Sequence, residues 1–485
     1  MKTIFKYNFI LLFAAVLFTS CEDELDITSR DDVDSTALFS TASTVEGGVL
    51  GLYSQAQSAD AFNGTPQTLS EWWADNSNFK GSFPTFRQVF DYATQADNTS
   101  VDAIYFQNVD VIEACNLIIT DLPAAEPRPL NLTPELEAQF LGEAHFLRAL
   151  TNFNLSIYFG QPYNISDGNS LSIPNITSVF RGDNQEEFDV PRSTLNEIYN
   201  QIEDDLSIAI ADLPESYGNG EDTRGRATSG AATALLARLE LYRENFDVAA
   251  QLATDVINSS VYELADDYEF YNTFSSEHIF NIINLAIDSQ NSNEGYSGLT
   301  NPTPGGRGDA PFSQDLVDAY ETDPAYPSDS IPEDFRFTQL TQVGVDAEGA
   351  ESFFSAKFPD PNSQADNAPV LRITEMYLIR AEANVRNNNS AIGASPLEDI
   401  NLLRERANLD PLTSVDIDDV LRERRKELAF EGGHRRIDLL RNGRSLRRDG
   451  QEFQTQSEAG QPLTILPIPQ REMDLTTQLE QNPGY

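Results

Sequence analysis

Apolar residues along this chain recur mostly at three- and four-residue spacing, the mark of helices with one face turned to a core, and strand-like alternation is scarce. The clearest case runs from Leu136 to Tyr158, with Phe140, Ala144, Leu147, Leu150, Phe153 and Ile157 on one side. Thr194-Leu195-Asn196-Glu197 is a capping-box pattern, a hydroxyl followed three residues later by Glu. It predicts a helix through Ile198, Ile202, Leu206 and Ile210 that stops before Pro214. Ser43-Thr44-Val45-Glu46 has the same form and opens a helix through Val49, Leu50, Leu52 and Tyr53. Gly47, Gly48 and Gly51 weaken that helix, each by about 1 kcal/mol relative to Ala.

Residues 229–245 are rich in Ala and Leu, and a second helix follows with Phe246, Ala249, Ala250, Ala253 and Ile257 on one face. Small residues at these spacings let two helices pack closely. The layout recurs at 372–387 followed by 396–407. Such pairs are similar to tetratricopeptide units, which stack into a superhelix. Two regions break the pattern: 71–92, aromatic and containing Gly and Pro, and 289–341, dense in Asn, Gly, Pro and Asp. Loops of that length in a compact protein are usually functional or disordered.

The N-terminus changes the picture of where the chain works. Lys2 and Lys6 precede an apolar run from Phe9 to Phe18, too short to span a bilayer as an anchor. The segment ends Phe18-Thr19-Ser20-Cys21, which resembles a lipobox and predicts cleavage before Cys21 and lipidation on it. Attached acyl chains give firm anchoring, about 0.8 kcal/mol per buried CH₂. The following Glu22-Asp23-Glu24-Leu25-Asp26 resembles the surface-export signal of Bacteroidota lipoproteins. The predicted division is a signal peptide over 1–20, an acidic flexible tether over 21–35 and one helical domain over 36–485. The domain is loop-rich around 270–365.

Composition excludes several functions. Lys and Arg number 32 against 77 Asp and Glu, a net charge of −45. Such a field repels nucleic acids and anionic lipid surfaces, and it favours a neutral over a polyanionic ligand unless a local basic patch intervenes. Cys115 lies in an apolar helical stretch with nothing nearby in sequence to lower its pKa, so it is expected as a buried structural thiol. His145, His278 and His434 are scattered, and no metal-ligand spacing appears. No phosphate loop or nucleophile elbow is present. Neither a catalytic residue, a metal nor a cofactor is predicted.

The C-terminal third carries the strongest motifs. They are an "RITEMYLIRAEA" helix from Arg372, "NLLRERA" from Asn401, "RERRKELAFEGGHRRIDLLR" from Arg422, "PIPQ" from Pro467 and a terminal "QNPGY". Upstream stand "GEAHFLRALTNFNLSIYFGQPY" from Gly142, "RSTLNEIYNQIEDDL" from Arg192 and "SGAATALLARLELY" from Ser229. The ordered set resembles the SusD/RagB family over almost the whole mature chain. One departure is the extra residue at Gly433-His434 before Arg435. Read as residues alone, Glu423, Arg424, Arg425, Glu427, Glu431, Arg436 and Asp438 mix both signs at helical spacing. They are expected to pair and be partly buried.

The resemblance implies an all-α fold in which tetratricopeptide-like helix pairs scaffold long ligand-binding loops. It implies a lipid-anchored protein on the extracellular face of the outer membrane, seated on a SusC-like TonB-dependent transporter and delivering glycans to it without catalysis. Peptide capture, as in RagB-like members, and a surface glycoside hydrolase are the alternatives. Sugar capture calls for aromatic rings against pyranose faces, with Asp, Asn and Arg fixing hydroxyls. The segment Trp72-Trp73-Ala74-Asp75-Asn76-Ser77-Asn78-Phe79 fits that need. Adjacent side chains point apart, so one tryptophan is expected inside and Trp73 exposed, with Asp75, Asn76 and Phe79 beside it. The second half of the site is expected from Tyr296 as a stacking platform and Arg307 with Asp309 as a clamp, in a loop outside the core. Lys357 and Arg372 are weaker candidates.

Overall fold

A computed structural model of the protein describes residues 35–182, 189–288, 294–320 and 333–485. The signal segment, Cys21 and residues 22–34 of the tether lie outside them. The first long helix, α1 (Ala42–Ala56), starts two residues before the predicted box: Thr41 caps it and Thr44 answers, in place of Ser43 and Glu46. Its glycines are tolerated because Val45, Val49, Leu52 and Ala56 are buried. At Gly48 a Cβ would stand 2.5 Å from Leu38 Cδ1, so a larger residue would have to push that side chain aside. The aromatic segment is more helical than predicted, holding α2 (Thr65–Trp73) and α3 (Pro84–Phe90).

Two 26-residue helices follow, α4 (Thr99–Ala124) and α5 (Pro134–Phe159). α4 buries Cys115 and desolvation raises the thiol pKa, as expected of a structural thiol. α5 is not one-sided. Every residue from Gly142 to Phe159 is buried, so this is the central helix, covered all round. Its charged groups are matched, while the Asn152 amide has no hydrogen-bond partner among the described residues. Arg148 grips Asp205 through Nε at 2.9 Å and Nη2 at 2.6 Å, and His145 Nδ1 lies 2.7 Å from the same carboxylate. Arg226 grips Glu143 at 2.7 and 3.1 Å. Helix α6 (Leu195–Asp212) has the predicted Thr194–Glu197 capping box.

The predicted helix pairs are present as α7 (Ser229–Tyr242) with α8 (Phe246–Ile257), and α9 (Ile373–Arg386) with α10 (Pro396–Arg406). Ala231, Ala232, Ala234, Ala249, Ala250 and Ala253 are fully buried, which lets these helices approach closely. From α5 to α10 each of these helices packs on the next in chain order. Helices α11 (Ile417–Leu428) and α12 (His434–Leu440) complete the body. Three two-stranded antiparallel sheets lie in the rest: β1 (Leu171–Pro174) with β2 (Arg192–Thr194), β3 (His278–Ile282) with β6 (Ala368–Arg372), and the hairpin β4 (Thr341–Val345) with β5 (Glu351–Ser355). One apolar cluster runs from Phe39 to Ile468. Among the described residues no helix is long and apolar enough to cross a membrane.

The charged C-terminal motifs form a buried ion-pair layer. Arg372 reaches Glu277 at 2.7 Å and Glu431 at 2.8 Å, and Lys357 Nζ reaches Glu431 at 2.5 Å. Arg406 reaches Glu427 at 2.6 Å, while Glu423 accepts from Arg336 at 2.7 Å and Arg404 at 2.8 Å. Lys357 and Arg372, the weaker ligand candidates, are thus out of solvent's reach. Removing one member of such a pair typically costs about 3–5 kcal/mol, because its partner is left charged and dry.

Candidate ligand-binding site

The two predicted loop halves do meet. Gly64 caps α2 with φ at +143°, and a Cβ there would fall 2.4 Å from the Tyr296 amide, which donates to Asn63 O at 3.0 Å. Further along, Ser313 N donates to Asn76 O at 2.8 Å, Ser77 Oγ to Pro311 O at 2.7 Å and Lys80 N to Asp309 O at 3.0 Å. Segments 63–80 and 295–313 therefore form one wall.

That wall turns most of its predicted ligand residues inward. Trp72 and Trp73 are both 0% exposed. The expectation of one exposed ring fails because α2 is covered all round. Trp72 packs on Phe79 and Phe86 at 4.8 and 5.3 Å between centroids. Trp73 lies under the Arg436 guanidinium, 4.3 Å from its ring, and donates from Nε1 to Leu463 O at 3.2 Å. Phe79 is in the core with Trp72. Tyr296 is also core, not loop surface: it stacks on Phe358 at 4.2 Å and its hydroxyl accepts from Gly432 N at 3.0 Å. Asn76 is spent on the interior, donating to Glu71 Oε2 at 2.5 Å and accepting from Arg425 Nε at 2.8 Å. Arg307 does pair with Asp309, Nε to Oδ2 at 2.6 Å, but the guanidinium lies over Phe83 and Asp309 is buried.

Asp75 is buried too, 5% exposed, but sits at the edge of solvent. It closes a recess of about 150 Å³ with Asn78, Gln314, Asp315 and Gln451. Asn78 is the one exposed residue between Glu71 and Phe79. Asp315 also lines a larger neighbouring cleft of about 570 Å³, whose other charged walls are Arg422, Arg425, Arg435, Arg444, Arg448, Asp318 and Asp418. These arginines come from α11, the start of α12 and the loop after it. Arg435 donates to both oxygens of Asp75 at 2.7 and 2.9 Å, with Arg425 at 3.3 Å and Arg448 at 3.5 Å. Burial pushes the Asp75 carboxyl up, but these three cations outweigh it and hold it well below the usual range. Burial, then the charge of Arg435, lowers Arg425 to about 10. The cleft can hydrogen-bond hydroxyls and anions. Its only sequence trace is the density of arginine in 422–448 of so acidic a chain.

A second groove, about 470 Å³, is apolar, with Phe106, Val109, Ile176, Phe180 and Leu475 in its walls. Phe106 is 41% exposed and Arg471 lies 5.0 Å above its ring. It offers the accessible aromatic face that the tryptophans do not. The histidines are structural: burial lowers His278 and His434 to about 4. Among the described residues no cluster of His, Cys, Asp and Glu is placed to hold a metal.

The helix stack, with a polar cleft lined from α11, α12 and the loop after them, defines a helical binding scaffold. Comparison with known proteins gives the family. A model described as the SusD family matches residues 351–485, and one described as starch-binding associating with outer membrane matches 24–241. The chain belongs to the SusD/RagB family. A SusD-like protein of Bacteroides ovatus is 24% identical over 474 residues, covering 88% of this chain and 81% of its own length. A SusD superfamily structure from Bacteroides vulgatus superposes with TM-score 0.78 at 26% identity, covering 92% of this chain and all of the other. A structure described as a laminarin-binding SusD-like protein gives 0.72 at 23% identity, again covering 92% of this chain and all of the other.

Proposed function

We propose that this protein captures a glycan at the outer face of the outer membrane and delivers it to a SusC-like TonB-dependent transporter, without chemistry of its own. In this reading Cys21 carries the lipid, residues 22–35 give reach, and the single helical body presents the cleft beside Asp75 and Asn78 to the ligand. The observation that carries the reading is membership of a family with a starch-binding, outer-membrane-associated model that matches the N-terminal half. The laminarin-binding relative of the same fold supports it. A non-catalytic role is supported by the state of the carboxylates. Asp75 is ion-paired at the cleft. Glu71, which burial raises to about 7 as a general acid would need, has no exposed surface.

Native affinity electrophoresis in gels containing different polysaccharides tests the capture. Retardation by at least one glycan, with no reducing sugar released, is expected. Retardation by none, together with loss of peptide uptake on deletion, would replace glycan by peptide. Release of reducing sugar by pure protein would make it a hydrolase.

A further inference from the structure

We infer that the arginine cleft selects an acidic glycan, gripping the carboxylate of a uronic acid or a sulfate ester on the sugar ring. This rests on the glycan-capture reading and names its substrate class. In the whole chain, acids outnumber bases 77 to 32. In the cleft the order reverses: five arginines face three aspartates. Behind it the single carboxylate of Asp75 serves Arg435, Arg425 and Arg448; Arg425 also donates to Asn76 Oδ1 at 2.8 Å, and Arg448 gains a second carboxylate, Asp315, at 3.0 Å. Arg435 spends Nε and Nη2 on Asp75, and its Nη1 has no hydrogen-bond partner among the described residues.

The rim cations are held loosely. Arg422 and Arg444 have side chains 46% and 41% exposed and, among the described residues, pair only with Asp419 and Asp418 respectively. Exposed pairs of this kind contribute little, so a ligand anion can take their place. The planar guanidinium fork matches a carboxylate or sulfate with two parallel bonds, a fit no neutral hydroxyl requires. The acidic exterior does not veto an anion here. At physiological salt, charges beyond about 8 Å are largely screened, so the local set decides. Crowding behind the cleft is visible in Arg425, whose neighbour Arg435 helps lower its pKa.

The test is calorimetric titration of the mature protein with matched pairs. One arm sets oligogalacturonides against the same oligomers with carboxyls reduced to alcohols. The other sets carrageenan oligosaccharides against their desulfated forms. At least one acidic ligand should bind about tenfold or more tighter than its neutral partner, the loss of one charge-assisted contact, and the advantage should shrink with salt. Whichever arm shows the preference identifies the anion. The double variant Arg444→Ala/Arg448→Ala, at exposed side chains, should abolish it while leaving the melting curve unchanged. Equal affinity for charged and neutral partners, or a preference that survives in the variant, overturns the acidic selection and leaves glycan capture standing. Failure to bind any of the four ligands, with no retardation in any polysaccharide gel, overturns the capture reading and this inference with it.

Discussion

Replacing Glu71 by Gln should stabilise this protein at neutral pH and above, with a gain that shrinks as pH falls towards 4.5. Glu71 sits on α2 with no exposed surface; Asn76 Nδ2 donates to its Oε2 at 2.5 Å, and its Oε1 has no hydrogen-bond partner among the described residues. Burial raises its pKa from 4.5 to about 7, against the smaller opposing effects of Asn76, Lys357, the Phe430 backbone amide and Arg425. Between those two values the unfolded chain releases a proton that the folded chain keeps. Stability therefore falls as pH rises through that window, and the full cost is present above it. The shift corresponds to about 3 kcal/mol at pH 8 and under about 1 kcal/mol at pH 5. Glutamine keeps the shape and the acceptor for Asn76 but cannot ionise. Urea unfolding of both proteins at pH 5, 6, 7 and 8 should show the variant gaining steadily on the parent. An equal difference at pH 5 and pH 8 would refute the reasoning. So would a variant less stable at pH 8, which would mean that Glu71 is ionised and held by Lys357 or Arg425.

Two further outcomes follow from the same interior. Trp73→Ala should lower stability by about 3–5 kcal/mol, since it empties a fully buried site and removes the ring beneath Arg436. Thermal unfolding followed by tryptophan-independent circular dichroism checks this, and an unchanged midpoint would return Trp73 to the surface. Glu375 and Glu431, where burial is outweighed by Arg238 and Arg372 respectively, are held near 2. Their stabilisation is complete above the unfolded value of about 4.5 and is lost as pH falls from there through about 2. Near-ultraviolet dichroism should therefore stay native at pH 5 and collapse on the way to pH 2; a transition already complete at pH 5 would contradict the pairing.

The helices were legible because their signals are local. The Thr194–Glu197 box, the alanine-rich pair and the stretch from Leu136 each state their own conformation within a few residues. The boundary at α1 slipped because two hydroxyls, Thr41 and Ser43, both precede a plausible partner, and Leu130 fixes the choice by pairing with Ser40 and Ala42 from far along the chain. The site was less legible for a related reason. Aromatic residues beside Gly and Pro look like a ligand platform, but Trp73 and Tyr296 are covered by Arg436 and Phe358, partners more than sixty residues away. Periodicity says which side of an element is apolar. It does not say how many sides are covered, and α2 and α5 are covered all round.

The charge balance shows how so acidic a chain can carry a cluster of arginines. Sixteen Lys and Arg side chains are buried among the described residues, half of the 32 in the chain, against seventeen of the 77 Asp and Glu. The interior is thus nearly neutral, and almost all of the −45 is carried outside it. Arginine is drawn inward because its fork satisfies two carboxylate oxygens at once while its weakly hydrated head costs less to dry than an ammonium. Of the few cations left outside, Arg422, Arg435, Arg444 and Arg448 gather at one cleft beside buried Arg425. An acidic exterior would keep a polyanion at a distance everywhere except there. Net charge describes the surface that repels; the grouping of the remaining arginines describes, among the described residues, where the inferred anion would be met.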